Sequence, residues 1–313
     1  AALLSNPFEY DQNLGYSLYP RDFIVSLPTP APHSGLSEYF SPAGHLRDCI
    51  DYVPEDEIEV VSALEPDTLP DSLLVSIHKF VIAGAIRLVH SGYNTEFHHS
   101  MLIHTSIRTD NHNRLAHLVR NYGVILRENY LRRSFFAGRA EEYHTLISTW
   151  RTHFVEFELD ETEMDEAITQ FFQKFDFDRN VQSINSNEED LDALFESEKR
   201  LDYDNPNGTW VIAVGGQILS RGLTVEGLVI SYFTRESAMY DSLAQMARWC
   251  GYHSRLVQDL IRVITTETIH RWFQFIYRVD TRIREDVAVL QGRENATPLD
   301  MAPRILQYQQ ETK

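Results

Sequence analysis

Between Gly215 and Arg248 the chain gathers the residue types that handle phosphate: paired glycines, hydroxyls and arginines. Gly215 and Gly216 follow an apolar run from Trp210 to Val214. Glycine there lets the backbone approach a ligand closely. Ser220, Arg221, Gly222 and Thr224 come next, in a polar loop whose amides and hydroxyls suit phosphate oxygens. A second β-type run, Leu228 to Phe233, leads to a helix-compatible segment carrying Gln245 and Arg248. Their i, i+3 spacing puts both on one helix face. An arginine so placed can neutralise charge developing on a γ-phosphate. Strand, glycine turn, hydroxyl-bearing loop, strand and helical arginine make half of a nucleoside-triphosphate site.

Each part alone has a plainer explanation. Double glycines after strands are usually turns. Arg248 could be a helix-surface arginine stacked on Trp249 or paired with Asp241, a common arrangement worth little energy. Arg221 suits contact with a nucleic-acid backbone, with an ion pair to Glu226 as the alternative. The combination is harder to explain by packing, because an arginine flanked by small residues in a strand-to-strand loop has little to do in a core.

The segments GGQILSRGLTVEGL and AQMARWCGYH resemble the fifth and sixth helicase motifs of superfamily-two ATPases. In this form they resemble the Z1 domain, the second motor half of helicase-like proteins often labelled endonucleases. LYPRDFI (Leu18 to Ile24) looks like the start of that domain, HHSMLIHTS (His98 to Ser106) like its fourth-motif strand, and VQSINS (Val181 to Ser186) like the next strand. The resemblance covers most of the chain. It implies Arg248 as an arginine finger with Gln245 beside it, Gly215, Gly216, Ser220, Gly222 and Thr224 facing the nucleotide, and Arg221 coupling to nucleic acid. It also implies ATP and Mg²⁺, held mainly by a first motor domain, and DNA as a local partner. No G-x-x-x-x-G-K-[ST] phosphate loop occurs in the 313 residues. The sequence therefore reads as a fragment lacking that N-terminal motor domain. One position departs from the family pattern, which ends Gly-Tyr-Arg where this chain has Gly251, Tyr252 and His253. Histidine is mostly neutral at pH 7, which weakens the expectation of a second cationic contact. Arg255 lies two residues on, out of register.

Other chemistries fit less well. His98, His99, His104, His112 and His117 match no zinc spacing and have no cysteine nearby. His104 lies in a strand pattern and reads as a core or strand-end histidine. The acidic runs at Glu55 to Glu57 and Glu188 to Asp190 read as solvated loops, and no carboxylate-lysine cluster of nuclease type is visible. A Rossmann dinucleotide site is disfavoured because the glycines lack the G-x-G-x-x-G spacing and are followed by a strand.

Composition bounds the rest. A formal net charge of −18 argues against a broad basic face for coating DNA, so any nucleic-acid contact should be a local stripe. Two cysteines, Cys49 and Cys250, cannot make a disulfide framework, which suits a cytoplasmic setting. No apolar run approaches membrane-spanning length and no signal peptide opens the chain, so no membrane partner is expected.

These residues need elements to hold them. Short apolar runs at Met101, Val181, Trp210, Leu228 and Leu260 predict strands, and they alternate with helical patterns from Pro70, His112, Ala140 and Glu267. That order predicts an α/β fold, a mostly parallel sheet with helices on both faces of the RecA-like C-terminal kind. Residues 1–66, rich in proline and acid, are expected as an extended connector from the missing first motor domain. Residues 67–313 would be the second motor domain, with a helical insertion at about 136–180. An interaction module that keeps the fold without the chemistry is the rival reading; His253 and the acidic balance favour it.

Overall fold

The computed structural model describes residues 33–63, 67–106, 108–132, 141–184, 201–215, 225–236, 240–247, 249–293, 297 and 300. Six strands form one sheet: β2 (Ile50–Tyr52), β3 (His99–His104), β4 (Val181–Ile184), β5 (Trp210–Gly215), β6 (Leu228–Phe233) and β8 (Arg262–Thr265). Their spatial order is β2-β8-β6-β3-β5-β4, and every neighbouring pair is parallel. Along β3, β5, β6 and β8 every residue is buried. This is why their apolar residues fall consecutively, as in Met101 to Ile103 and Val211 to Val214, without alternation: both faces of a parallel sheet are covered. A separate two-stranded antiparallel sheet joins β1 (His33–Ser34) to β7 (Gly251–Tyr252).

The helices are α1 (Leu36–Phe40), α2 (Glu55–Ser62), α3 (Asp71–His90), α4 (Thr109–Arg132), α5 (Glu141–His153), α6 (Glu161–Lys174), α7 (Phe177–Asn180), α8 (Tyr240–Met246), α9 (Arg255–Leu260) and α10 (Glu267–Gln291). On one face α3, α4, α5 and α6 pack over Met101, Ile103, Ile212, Val214, Ile230 and Tyr232. By length and composition α3 could cross a membrane, but most of it is buried here, as in a core helix. Two glycines set the helix packing. A Cβ on Gly84 would stand 2.3 Å from the Phe171 ring, and one on Gly123 would stand 1.9 Å from the Phe177 ring. On the other face α1, α8 and α10 cover the β6-β8-β2 half through Phe40, Met246 and Phe273, together with Trp249 beyond α8, and Phe40 and Phe273 stack at 4.9 Å. A smaller cluster of Leu102, Ile184, Leu201, Val211, Ala213, Val225 and Leu228 covers the rest of that face.

The expected helical insertion is two helices, α5 and α6, separated at Phe154–Asp160 and followed by the short α7. Asp160 caps α6 by accepting from the Glu163 amide at 2.8 Å. Both long helices pack on α3, so they belong to the main core. The expectation of an extended connector up to residue 66 needs correction for residues 33–63. These carry α1, α2 and β2, and β2 adds an edge strand to the sheet in register with β8, Ile50 opposite Val263. A half-buried ion pair fixes it: the buried Lys79 Nζ on α3 meets Asp51 Oδ2 on β2 at 2.8 Å.

Candidate functional site at the carboxyl edge of the sheet

In a parallel sheet all strands end at one edge, and ligands of open α/β sheets bind beyond the carboxyl ends. Gly215 is the last residue of β5, opposite Ile184 of β4, and so stands on that edge. Gly216, Ser220, Arg221, Gly222 and Thr224 lie outside the described residues, as does Arg248. Gln245 is exposed on α8, while Leu243 and Met246 of the same helix are buried in the second-face core. Since α8 follows the carboxyl end of β6, both motif-bearing segments leave the sheet from the same edge. The structure thus places at one edge the two strand ends, Gly215 and Phe233, from which the segments depart.

The chain returns to the opposite edge at Glu226 and Gly227. Gly227 takes φ +66°, and a Cβ there would stand 2.0 Å from the His98 carbonyl oxygen. Only glycine fits this combination of left-handed backbone and close approach. Glu226 is paired through its carboxylate with His98 at 3.7 Å, and its carbonyl accepts from Ser100 Oγ at 2.7 Å. Trp249 lies in the core beside Phe233 and Phe273, and its carbonyl accepts from Tyr39 at 3.3 Å. His253 donates from Nε2 to the same carbonyl at 3.0 Å. Burial holds its imidazole below the usual value, so it is neutral at pH 7.

The other histidines are separately engaged. His99 is wholly buried, with Nε2 3.0 Å from the Phe80 carbonyl and Nδ1 3.3 Å from Arg87. His112 bonds the Ser106 carbonyl at 2.9 Å, and His117 contacts Asn121 at 3.1 Å. Among the described residues no three His, Cys, Asp or Glu side chains are grouped to hold a metal. His104 ends β3 and is 1% exposed. Its Nε2 lies 2.9 Å from Nη1 of Arg235, and its backbone carbonyl accepts from the Thr234 and Arg235 amides at 3.1 and 3.2 Å. Burial first, then the Arg235 and His112 charges, push its pKa down to about 3. Sequence reasoning passed over Thr234 and Arg235, although an arginine directly after an apolar strand was the available signal.

A six-stranded parallel sheet covered by helices, whose strands all end at one carboxyl edge, defines an open α/β protein. Its family is given by a model of the Z1 domain, which matches residues 72–312, and the chain belongs to the Z1 domain family. That span takes in the strand at His99, the strand at Val181 and the whole Gly215 to Arg248 segment, while LYPRDFI precedes it. No curated protein and no solved structure matches the chain.

Proposed function

We propose that this chain is the second motor lobe of an ATP-dependent, helicase-like DNA-processing protein. The observation that carries the reading is that β5 and β6, which lead into the two motif segments, are parallel and end at the same edge. ATP and Mg²⁺ would be held mainly by a partner lobe bearing a phosphate loop. In this chain Arg248 would meet the transferring phosphoryl group as the lobes close, with Gln245 three residues before it in sequence. The segment from Gly215 to Thr224 would register closure, and Arg221 would pass it to a DNA backbone through a local contact. Alone, the chain would turn over almost no ATP.

A second reading, a fold-retaining interaction module, is favoured by His253. Its imidazole is neutral and occupied by the Trp249 carbonyl, so it supplies no cation.

One experiment separates the two. Joined to a phosphate-loop lobe, the protein should show DNA-stimulated ATP hydrolysis. Arg248→Ala should lower it by on the order of 10³-fold with little change in folding stability. His253→Arg should raise turnover. Equal hydrolysis by Arg248→Ala would make this arginine structural. Absence of hydrolysis even with His253→Arg would leave the interaction module as the account.

A further inference from the structure

The carboxyl end of β6 holds a cation with no charged partner among the described residues. The Arg235 guanidinium is permanently protonated and can only donate. Its Nη1 therefore donates to His104 Nε2, and the imidazole accepting it must be neutral. No carboxylate among the described residues pairs with Arg235, and burial alone depresses its pKa. A half-buried charge without an opposite charge is costly, and proteins usually meet that cost with a partner or a ligand.

Two neighbouring polar atoms are also unsatisfied. Arg235 Nε is shielded from solvent without a hydrogen-bond partner among the described residues. So is Oγ1 of Thr234, a residue only 3% exposed. Native structures leave few buried donors unpaired, so an orphaned pair on consecutive residues points to something that accepts from both. The two are fixed in place, because both backbone amides donate to the His104 carbonyl. They sit at the edge where parallel sheets bind ligands.

We propose that Arg235 and Thr234 form an anion site that takes a phosphate group, with His104 holding the guanidinium in place. In naming phosphate, the inference rests on the nucleotide-motor reading above. Guanidinium N–H groups and a hydroxyl suit a tetrahedral oxyanion. The phosphate is supplied either by a nucleotide or by a nucleic-acid backbone.

The test uses the 313-residue chain, titrated calorimetrically at low salt with inorganic tripolyphosphate and, separately, with a single-stranded oligonucleotide. Tripolyphosphate should bind, and Arg235→Gln should weaken it at least tenfold, with Arg235→Lys in between. Arg271→Gln, an exposed change on α10 away from the site, should leave this binding unchanged. Thr234→Val gives a readout that a structural role would not move. Removing an unpaired buried hydroxyl should raise the melting temperature of the free protein by roughly 2 °C, yet weaken anion binding several-fold. Should Arg235→Gln fail to fold, Arg235→Lys and Thr234→Val carry the test. Arg235-dependent binding of the oligonucleotide alone upholds the site and makes the backbone its source. Unchanged affinity in Arg235→Gln, or no Arg235-dependent binding of either probe, overturns the proposal. Loss of binding in Arg248→Ala but not in Arg235→Gln overturns this site while leaving the motor reading intact. An Arg235-dependent site in a protein that never hydrolyses ATP does the reverse.

Discussion

His78 lies on α3 with Nε2 2.5 Å from the Tyr122 hydroxyl and Nδ1 buried without a partner among the described residues. Burial pushes its pKa down from 6.5 to about 4. The folded state therefore resists a proton that the unfolded chain accepts readily. The stability this neutral imidazole preserves is complete above pH 6.5 and is lost as pH falls toward 4. Between pH 7 and 5 its share of the loss should be about 2 kcal/mol. Urea unfolding at both pH values checks this, because His78→Gln keeps a partner for Tyr122 and should shrink the loss by that amount. An equal loss in both proteins would place the acid sensitivity elsewhere. The same scale shows what was legible. Gly215, Gln245 and Arg248 can be proposed from the sequence because residue type and close spacing form a pattern there. His104 and Arg235 cannot, since their pairing joins residues 131 apart in sequence and exists only through the register of β3 with β6.

Among the elements, the buried parallel strands and long helices were readable because each is an apolar run or a periodic pattern of ordinary length. Residues 33–63 were not. Strand β2 has three residues and only Ile50 is buried, and α1 has five residues, so neither generates a periodicity. What holds them is tertiary: Asp51 on Lys79, Tyr39 and Phe40 against α10 and Trp249. Helix contacts explain an opposite surprise. Glycine inside a helix usually costs stability relative to alanine. Gly123 of α4 should behave otherwise, because its missing side chain is the space occupied by Phe177. Gly123→Ala should destabilise by about 1–3 kcal/mol through overpacking, read as a lower urea midpoint. Adding Phe177→Leu should restore part of it. Stabilisation by Gly123→Ala would mean that the ring moves aside freely.

At the scale of the whole molecule, the sheet is closed by residues from far ends of the chain. Ile50 pairs with Val263, and the Tyr39 hydroxyl reaches the Trp249 carbonyl. β2 is the first of the six strands in sequence, yet its only neighbour, β8, is the last. This has a consequence for synthesis on the ribosome. At 5–20 residues per second, about 10–40 s separate the emergence of Ile50 from that of Val263. Throughout that interval Tyr39, Phe40 and Leu46 have no surface to cover. The segment should therefore be the last part to dock, and nascent chains stopped before β8 should be cut by protease within residues 33–63 while longer ones are protected. Protection of the short nascent chains would show that this segment finds another partner first. The order of translation leaves the edge of the sheet as the final joint to close, and exposes it to chaperones or to other chains for longer than any other strand.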